Sequence, residues 1–394
     1  MHNITELLTR GVANIIPSKQ ELEKKLNSDK KLNIYLGIDP TSPHIHLGHA
    51  VPLRKLQSLV QLGHNVTLLI GDFTALVGDT SDKESERPIL TEKEIEKNFQ
   101  TYKKQAEKIL DFTKIKIKHN REWLEKLTYK ELLRLKQQFS LNDFISRELI
   151  RKRLDEHKRI RLDETEYPIM QGYDSYFMDT DLQIGGTDQT FNMQAGRVLQ
   201  KNLRSKESFI LSTEFLMGTD GRKMSKSWGN AIWLDDSEQD IYAKILAIKD
   251  DLIVPYFKLA TNIPLPEIEK IKNSLEKGEH PMPIKKKLAF QVVSELYNTS
   301  SAQKAQDNFE KTIQAGKTPQ DIPVLNITNP LSILDILIQS QLTNSKTDAR
   351  RLINQGAVTL DDQKITNPDQ QIQTGILKVG KHKFLKIKQN NDLK

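Results

Sequence analysis

Two short segments hold side chains suited to polyphosphate chemistry. Pro43-His-Ile-His-Leu-Gly-His49 places three histidines within six residues. His46 and His49 can donate hydrogen bonds to phosphate oxygens. Gly48 lacks the side chain that would keep a nucleotide off the backbone. If a helix starts here, its free N–H groups and positive dipole end also favour phosphate. A histidine-rich turn and a metal site are the alternatives, although metal sites usually recruit Asp, Glu or Cys as well. The second segment is Gly221-Arg-Lys-Met-Ser-Lys-Ser227. Lys223 and Lys226 are spaced to converge on one polyanion, and Ser225 and Ser227 add hydroxyl donors. A solvated basic loop is the alternative.

The surrounding pattern supplies elements that could position these groups. Asn33-Ile-Tyr-Leu-Gly-Ile-Asp39 is a short apolar run rich in strand formers, stopped by Pro40-Thr-Ser-Pro43. A helical pattern begins near Leu47 and continues through Leu53, Leu56 and Val60. Gly63-His-Asn65 ends it, and Val66-Thr-Leu-Leu-Ile70 is a second strand. Strand, loop, helix and strand form a βαβ unit, and so imply a parallel sheet with helices on its faces. Thr91 to about Ile169 is mostly helical and charged, with Lys114 to Lys118 alternating as one exposed strand. Leu182-Gln-Ile-Gly-Gly186 is a strand entering a glycine turn. The N-terminus reads as an amphipathic helix, a break at Pro17 and a second helix opened by Ser18.

After Leu234 the strands cease, and Ser237 to Ala247 and Ile284 to Leu296 have helical periodicity. The expected organisation is therefore a Rossmann-like α/β domain over 1–235, with a helical insertion at about 80–180. An all-α domain follows over 236–312. A proline-spaced linker covers 313–330, and a small α+β unit covers 331–394.

With 394 residues the chain exceeds what one core usually serves. The absence of cysteine excludes disulfides, thiol catalysis and cysteine-based zinc sites. No apolar window reaches membrane-span length, and no signal-peptide pattern opens the chain. These features fit a cytoplasmic protein. The net charge of +7 favours an acidic partner.

Together, the two phosphate segments resemble the paired signatures of class I aminoacyl-tRNA synthetases. His46-Leu-Gly-His49 departs from the usual HIGH at its second position, and Lys223 to Ser227 matches KMSKS in full. Nucleotidyltransferases that share the first motif are the nearest competitors. The resemblance sharpens to the tyrosyl-tRNA synthetase family, over nearly the whole chain, at three places: Tyr35 to Thr41; Gly78 to Arg87; and Tyr167-Pro-Ile-Met-Gln-Gly-Tyr-Asp174 with Gly185-Gly-Thr-Asp-Gln189.

That resemblance implies a set of roles. Tyr35 and Asp174 meet the substrate phenol, and a buried carboxylate left unpaired by phenylalanine would be costly. Asp79, Tyr167 and Gln171 take the α-ammonium, with Thr74 nearby. Gln189 lies near the reacting carboxylate. Gly37, Asp39, Gly48, Gly186, Asp188, Met224, Ser225 and Ser227 surround ATP. His46 and His49 meet the phosphates, Lys223 and Lys226 stabilise departing pyrophosphate, and Lys83 and Arg87 join them from a loop. Mg²⁺ arrives with ATP. The implied partners are L-tyrosine, ATP, tRNA(Tyr) and a second subunit, joined through the insertion. The family mechanism needs no acid–base residue for activation: position and charge stabilisation suffice.

The final unit resembles an S4-type RNA-binding domain. Its mark is Thr347 to Leu360, a helix capped by Thr347 that ends at Gly356 and leads to a strand. Arg350 and Arg351 project from this helix. Lys378 to Lys388 contains five lysines and no acid. Lys381, Lys383 and Lys386 suit phosphate contacts, although lysine also protects sheet edges. Arg147, Arg151, Lys152, Arg153, Lys158 and Arg161 on the insertion suit either an acceptor stem or a solvated helix. The rival readings are a tryptophanyl enzyme, from which the Tyr35 and Asp174 pair would be absent, and a non-catalytic RNA-binding protein.

Overall fold

The structure, a computed structural model, describes residues 4–79, 90–225, 228–311, 323–340, 342–343, 345–380 and 383–389. The chain folds as two compact units, Met1–Ala302 and Gln303–Lys394.

The first unit is built on a sheet whose six strands, among the described residues, are β1 (Val12–Ile16), β2 (Asn33–Ile38), β3 (Asn65–Ile70), β4 (Lys116–His119), β5 (Leu182–Gly186) and β6 (Phe209–Thr213). Their spatial order is β1-β6-β5-β2-β3-β4. All pairs are parallel except β1 with β6. β2 and β3 are short apolar runs largely buried in the sheet centre, as parallel strands covered on both faces require. The chain leaves β2 toward β3 and β4, then returns to β5 on the other side. The crevice beyond β2 and β5 is therefore the switch point at which open α/β sheets bind ligands.

Eleven described α-helices attend this sheet. The first four are α1 (Ile4–Leu7), α2 (Lys19–Leu26), α3 (Leu47–Gln61) and α4 (Thr74–Val77). The next four are α5 (Glu92–Ala106), α6 (Arg121–Leu124), α7 (Tyr129–Lys136) and α8 (Leu141–Ile145). The last three are α9 (Glu148–Asp155), α10 (Tyr167–Phe177) and α11 (Thr190–Arg204). The βαβ unit expected from the sequence is β2-α3-β3, and α3 buries Leu47, Leu53, Leu56 and Val60. Ser18 caps α2 by accepting the Glu21 N–H at 3.1 Å.

The N-terminal segment differs from its helical reading. Among the described residues before Pro17 only Ile4–Leu7 is helical, and Val12–Ile16 extends as β1. Its short apolar run satisfies either pattern, and pairing with β6 decides for the strand.

Helices α12 (Glu238–Leu246), α13 (Ile253–Ala260), α14 (Leu265–Glu276), α15 (Pro281–Leu296) and α16 (Thr299–Phe309) follow, with no strand among the described residues of this stretch. Arg54 of α3 ties them to the sheet region. It holds Glu295 of α15 at 2.7 Å and the Ala260 carbonyl at 2.8 Å.

In the second unit, β7 (Val324–Ile327) lies inside the stretch read as linker and pairs in parallel with the last strand. It is followed by β8 (Leu331–Ser332), α17 (Ile333–Gln339), α18 (Lys346–Asn354), β9 (Val358–Leu360), β10 (Gln363–Lys364), β11 (Gln371–Ile372), β12 (Gly375–Val379) and β13 (Lys383–Gln389). Five strands form the order β10-β9-β12-β13-β7, and β11 pairs with β8. Ile333, Ile336, Leu337, Ile353, Leu377 and Ile387 make its own core. The cap of α18 is Ser345 rather than Thr347: the Ser345 hydroxyl accepts the Asp348 N–H at 3.1 Å. Both residues are N-cap formers, and the extended backbone at Ser345 selects it.

Candidate active site

Tyr35 on β2 and Asp174 on α10 interact within an apolar part of the core. Both are buried. Tyr35 packs with Leu69, Trp123, Leu124, Tyr167 and Met170. Its hydroxyl donates to Gln183 Oε1 at 3.1 Å, and Gln183 Nε2 is held by the Met193 carbonyl at 2.9 Å. Asp174 accepts Trp123 Nε1–H at 2.7 Å and Asn120 Nδ2–H at 3.2 Å. Burial raises its pKa to about 8. The two donors oppose that shift, while the carboxylates of Asp39 and Asp72 add to it. Burial, and then the Asp174 charge, push the Tyr35 phenol well above its ordinary value. Asp174 is therefore a protonatable carboxyl in largely apolar surroundings, able to accept from a phenol when ionised.

A second polar layer lies nearer the ends of the strands. Asp39, just past β2, accepts the hydroxyls of Thr74 at 2.8 Å and Tyr167 at 2.9 Å. Asn120 Nδ2 also reaches Thr74 Oγ1 at 3.0 Å, so the two layers share a donor. A Cβ on Gly71 would lie 2.0 Å from Asp39 Oδ1, so glycine is required to seat this carboxylate. Asp79 is buried and accepts Gln189 Nε2–H at 2.7 Å and Asn192 Nδ2–H at 3.3 Å. Gln171 stands one turn beyond Tyr167 on α10, half-buried, and Gly37 is exposed near the end of β2. This face, with its carboxylates and amide oxygens, is suited to a substrate ammonium.

The two phosphate segments meet. His46 caps α3, and the rings of His46 and His49 stack with centroids 3.8 Å apart. The His46 N–H donates to His49 Nδ1 at 3.2 Å, so in the neutral ring Nε2 carries the proton and can donate outward. A Cβ on Gly48 would lie 2.9 Å from His46 Nδ1, so the stacked pair depends on that glycine. Burial, then the charges of His49 and Lys223, hold His46 far below the usual histidine range, so both signatures share one electrostatic field. His46 also bridges Trp233, just after the second segment.

That second segment begins as a hairpin in which Met217 pairs with Lys223. Asn230 fastens it: its Nδ2 reaches Asp220 Oδ1 at 2.8 Å and the Lys223 carbonyl at 3.2 Å, and its Oδ1 accepts the Ser225 N–H at 2.9 Å. Met224 is buried. Lys223 Nζ lies 3.4 Å from Asp188 Oδ2, just beyond Gly186 at the end of β5. Lys83, Arg87, Lys226 and Ser227 lie outside the described residues.

The basic residues fall into different classes. Arg153 of the insertion does not face solvent or RNA. It is buried and paired bidentately with Glu164, at 2.6 and 3.1 Å. Its charge has an internal partner that spacing alone does not disclose. Arg147 lies 4.9 Å over the Phe191 ring, and Arg161 donates to Asp163 at 2.9 Å. Arg151, Lys152 and Lys158 are exposed. In the second unit, Arg350, Lys383 and Lys386 are exposed, and Arg351 pairs with Asp348 at 2.5 Å. Lys381 is outside the described residues.

Asn120, Trp123, Gln183 and Asn192 also belong to this network, though no local motif marks them as site residues. Asn120 and Trp123 follow β4, which reads only as an exposed lysine strand. The rule that ligands gather beyond the carboxyl ends of parallel strands would have pointed to them. Gln183 is a polar residue in the middle of an apolar strand, a detectable signal.

The chain resembles known proteins over nearly its whole length. Residues 27–314 match the family model "tRNA synthetases class I (W and Y)", and residues 313–387 match the "Tyrosine--tRNA ligase SYY-like C-terminal domain" model. The chain is 40% identical over 390 residues to a tyrosine–tRNA ligase of Dehalococcoides mccartyi, covering 98% of both chains. It is 37% identical to a tyrosine–tRNA ligase of Thermotoga maritima, covering 97% of this chain and 96% of that protein. Among solved structures, tyrosyl-tRNA synthetase complexed with L-tyrosine from Archaeoglobus fulgidus is similar, with a TM-score of 0.60 and 26% identity. The match covers 77% of this chain and 99% of that one.

Proposed function

The chain belongs to the tyrosyl-tRNA synthetase family of class I synthetases, and from that premise we propose how its residues divide the reaction. The activity is that of a tyrosine–tRNA ligase: ATP activates L-tyrosine to tyrosyl-adenylate, and the tyrosyl group passes to the 3′-terminal adenosine of tRNA(Tyr).

The observation that carries the substrate assignment is the buried Asp174 carboxyl, held by Trp123 and Asn120 beside Tyr35. Tyr35 and Asp174 take the phenol. Phenylalanine would leave the carboxyl unpaired and be rejected. Asp79, Tyr167, Gln171 and Thr74 take the ammonium, and Gln189 orients the reacting carboxylate. Gly37, Asp39, Gly48, Gly186, Asp188, Met224, Ser225 and Ser227 cradle the nucleotide. His46 and His49 donate to phosphate oxygens, while Lys223, Lys226, Lys83 and Arg87 stabilise the pyrophosphate. The tyrosine carboxylate attacks the α-phosphorus and the bond to pyrophosphate breaks. The stacked histidines and the lysines supply charge stabilisation without proton transfer. Mg²⁺ enters as the complex with ATP.

The tRNA is assigned to Arg350, Arg351, Lys381, Lys383 and Lys386. A homodimer is supported by the exposed apolar side chains of the insertion: Tyr129, Leu133, Leu141, Leu162 and Phe177. We place the protein in the cytoplasm. Among the described residues no helix is long and apolar enough to cross a membrane.

The test is pyrophosphate exchange into ATP. The expected result is exchange that depends on tyrosine. Exchange with tryptophan alone, or no exchange, defeats the assignment.

A further inference from the structure

A cavity of about 380 Å³ lies between α1, the body of α3, α13 and the end of α15. Most of the cations around it are committed. Arg10 holds Glu6 at 2.8 Å, Arg54 Nη1 holds Glu295 at 2.7 Å, and Lys258 holds Glu214 at 2.7 and 2.9 Å. Lys108 donates to the Leu234 carbonyl and lies over the Tyr297 ring.

Two donors in the lining are not committed in this way. Lys55 is only 6% exposed, and its ammonium has one acceptor, the Leu7 carbonyl at 2.5 Å. It makes no ion pair among the described residues. Arg54 Nε is buried and has no hydrogen-bond partner. A buried ammonium with no carboxylate in direct contact is costly, and so is a buried N–H without an acceptor. The two residues are neighbours in sequence, line one hollow, and share a need for negatively charged oxygen.

We propose that this cavity is a binding site for a small oxyanion, a carboxylate or a sulfate-like or phosphate-like group, whose oxygens take the Lys55 ammonium and the Arg54 Nε–H. Such a ligand would join the N-terminal segment, α3 and α13 through one contact set. The charge around Lys55 is mixed. Burial, then Arg10 and Lys258, push its pKa down to about 7, while Glu6 and Glu214 pull it up. A bound anion adds to the upward pull. Binding is therefore strongest below neutrality and weakens as pH rises and Lys55 loses its proton in the empty protein.

The experiment follows the Lys55 amine directly, by NMR of the full chain carrying isotope-labelled lysine, with the resonance assigned from Lys55→Met. Sodium sulfate, sodium acetate and sodium chloride are titrated at matched ionic strength. The expected result is a saturable shift of Lys55 with sulfate or acetate but not with chloride, with its titration midpoint moving from about 7 to above about 8. Preference for sulfate identifies a phosphate-like ligand, and preference for acetate a carboxylate; either supports the site. A resonance that none of the salts moves, or that chloride moves equally, overturns the proposal. Ser58→Leu fills the same hollow and leaves Lys55 in place. With the thermal midpoint retained, it should abolish the saturable shift, and persistence of the shift places the anion elsewhere.

Discussion

Trp123 Nε1 donates to Asp174 Oδ1 at 2.7 Å while the Trp123 ring stacks on Phe177, with centroids 4.6 Å apart. The indole is thus clamped by packing and spends its single donor on the carboxyl proposed to meet the phenol. Trp123→Phe keeps the aromatic packing and removes only the donor. Hydrogen bonds to charged groups contribute about 1.5–3 kcal/mol, so kcat/KM for tyrosine activation should fall roughly 10- to 100-fold. Discrimination against phenylalanine should narrow with it. Steady-state pyrophosphate exchange with both amino acids measures this, and unchanged discrimination would remove Trp123 from the specificity apparatus.

The raised Asp174 pKa sets a proton balance. In the empty protein the carboxyl is protonated below about 8. A phenol that donates to it favours the carboxylate, so tyrosine binding should release a proton at pH 7. Calorimetric titration in buffers of different ionisation enthalpy reads that release, and Asp174→Asn should abolish it. The stability consequence follows from the same shift. The unfolded Asp ionises near its ordinary value of 3.8 and the folded one near 8, so the folded state binds more protons between them. Asp174 therefore costs stability increasingly as pH rises through that window. Asp174→Asn should raise the thermal midpoint at pH 8 relative to the parent, with little change at pH 4, while tyrosine activation collapses. A midpoint difference that does not grow with pH would contradict the buried charge.

The sequence discloses those parts of the site that rest on local pattern. The strand at Tyr35, the helix opened by His46 and the glycine turn at Gly186 each announce themselves within a few residues. What escapes it comes from distant chain brought close by the sheet. Asn120 follows an edge strand, yet its amide links Thr74 to Asp174. Gln183 shares a register position with Tyr35 only because β5 pairs with β2. β1 is invisible for the same reason: Val12–Ile16 is too short to declare its period, and its partner is nearly two hundred residues away. Arg153 misleads because a charge on an amphipathic helix looks solvated until Glu164 is found opposite it.

That ion pair gives a stability prediction. Arg153 and Glu164 are both buried, and Arg153 also donates to the Arg159 carbonyl at 2.7 Å. Arg153→Met should cost about 3–5 kcal/mol, because it strands a buried carboxylate. The double variant Arg153→Met, Glu164→Leu should recover most of that loss. Urea denaturation of the three proteins measures it. A single variant as stable as the parent would show that the pair contributes nothing to the fold of the insertion.

The second unit has its own core, which includes β7, so a clean truncation ends before Val324 rather than within the strand. None of that unit's residues is among those proposed for tyrosyl-adenylate formation, which should be unchanged in the shortened chain. Charging of tRNA should weaken by about 10-fold or more, because exposed Arg350, Lys383 and Lys386 are lost as phosphate partners. The salt dependence separates this from a folding defect. If those cations contact phosphate, the parent's kcat/KM for tRNA falls more steeply with added salt than that of the truncated chain. Equal slopes with equal charging would mean that the exposed lysines of β13, an inner strand between β12 and β7, are merely solvated.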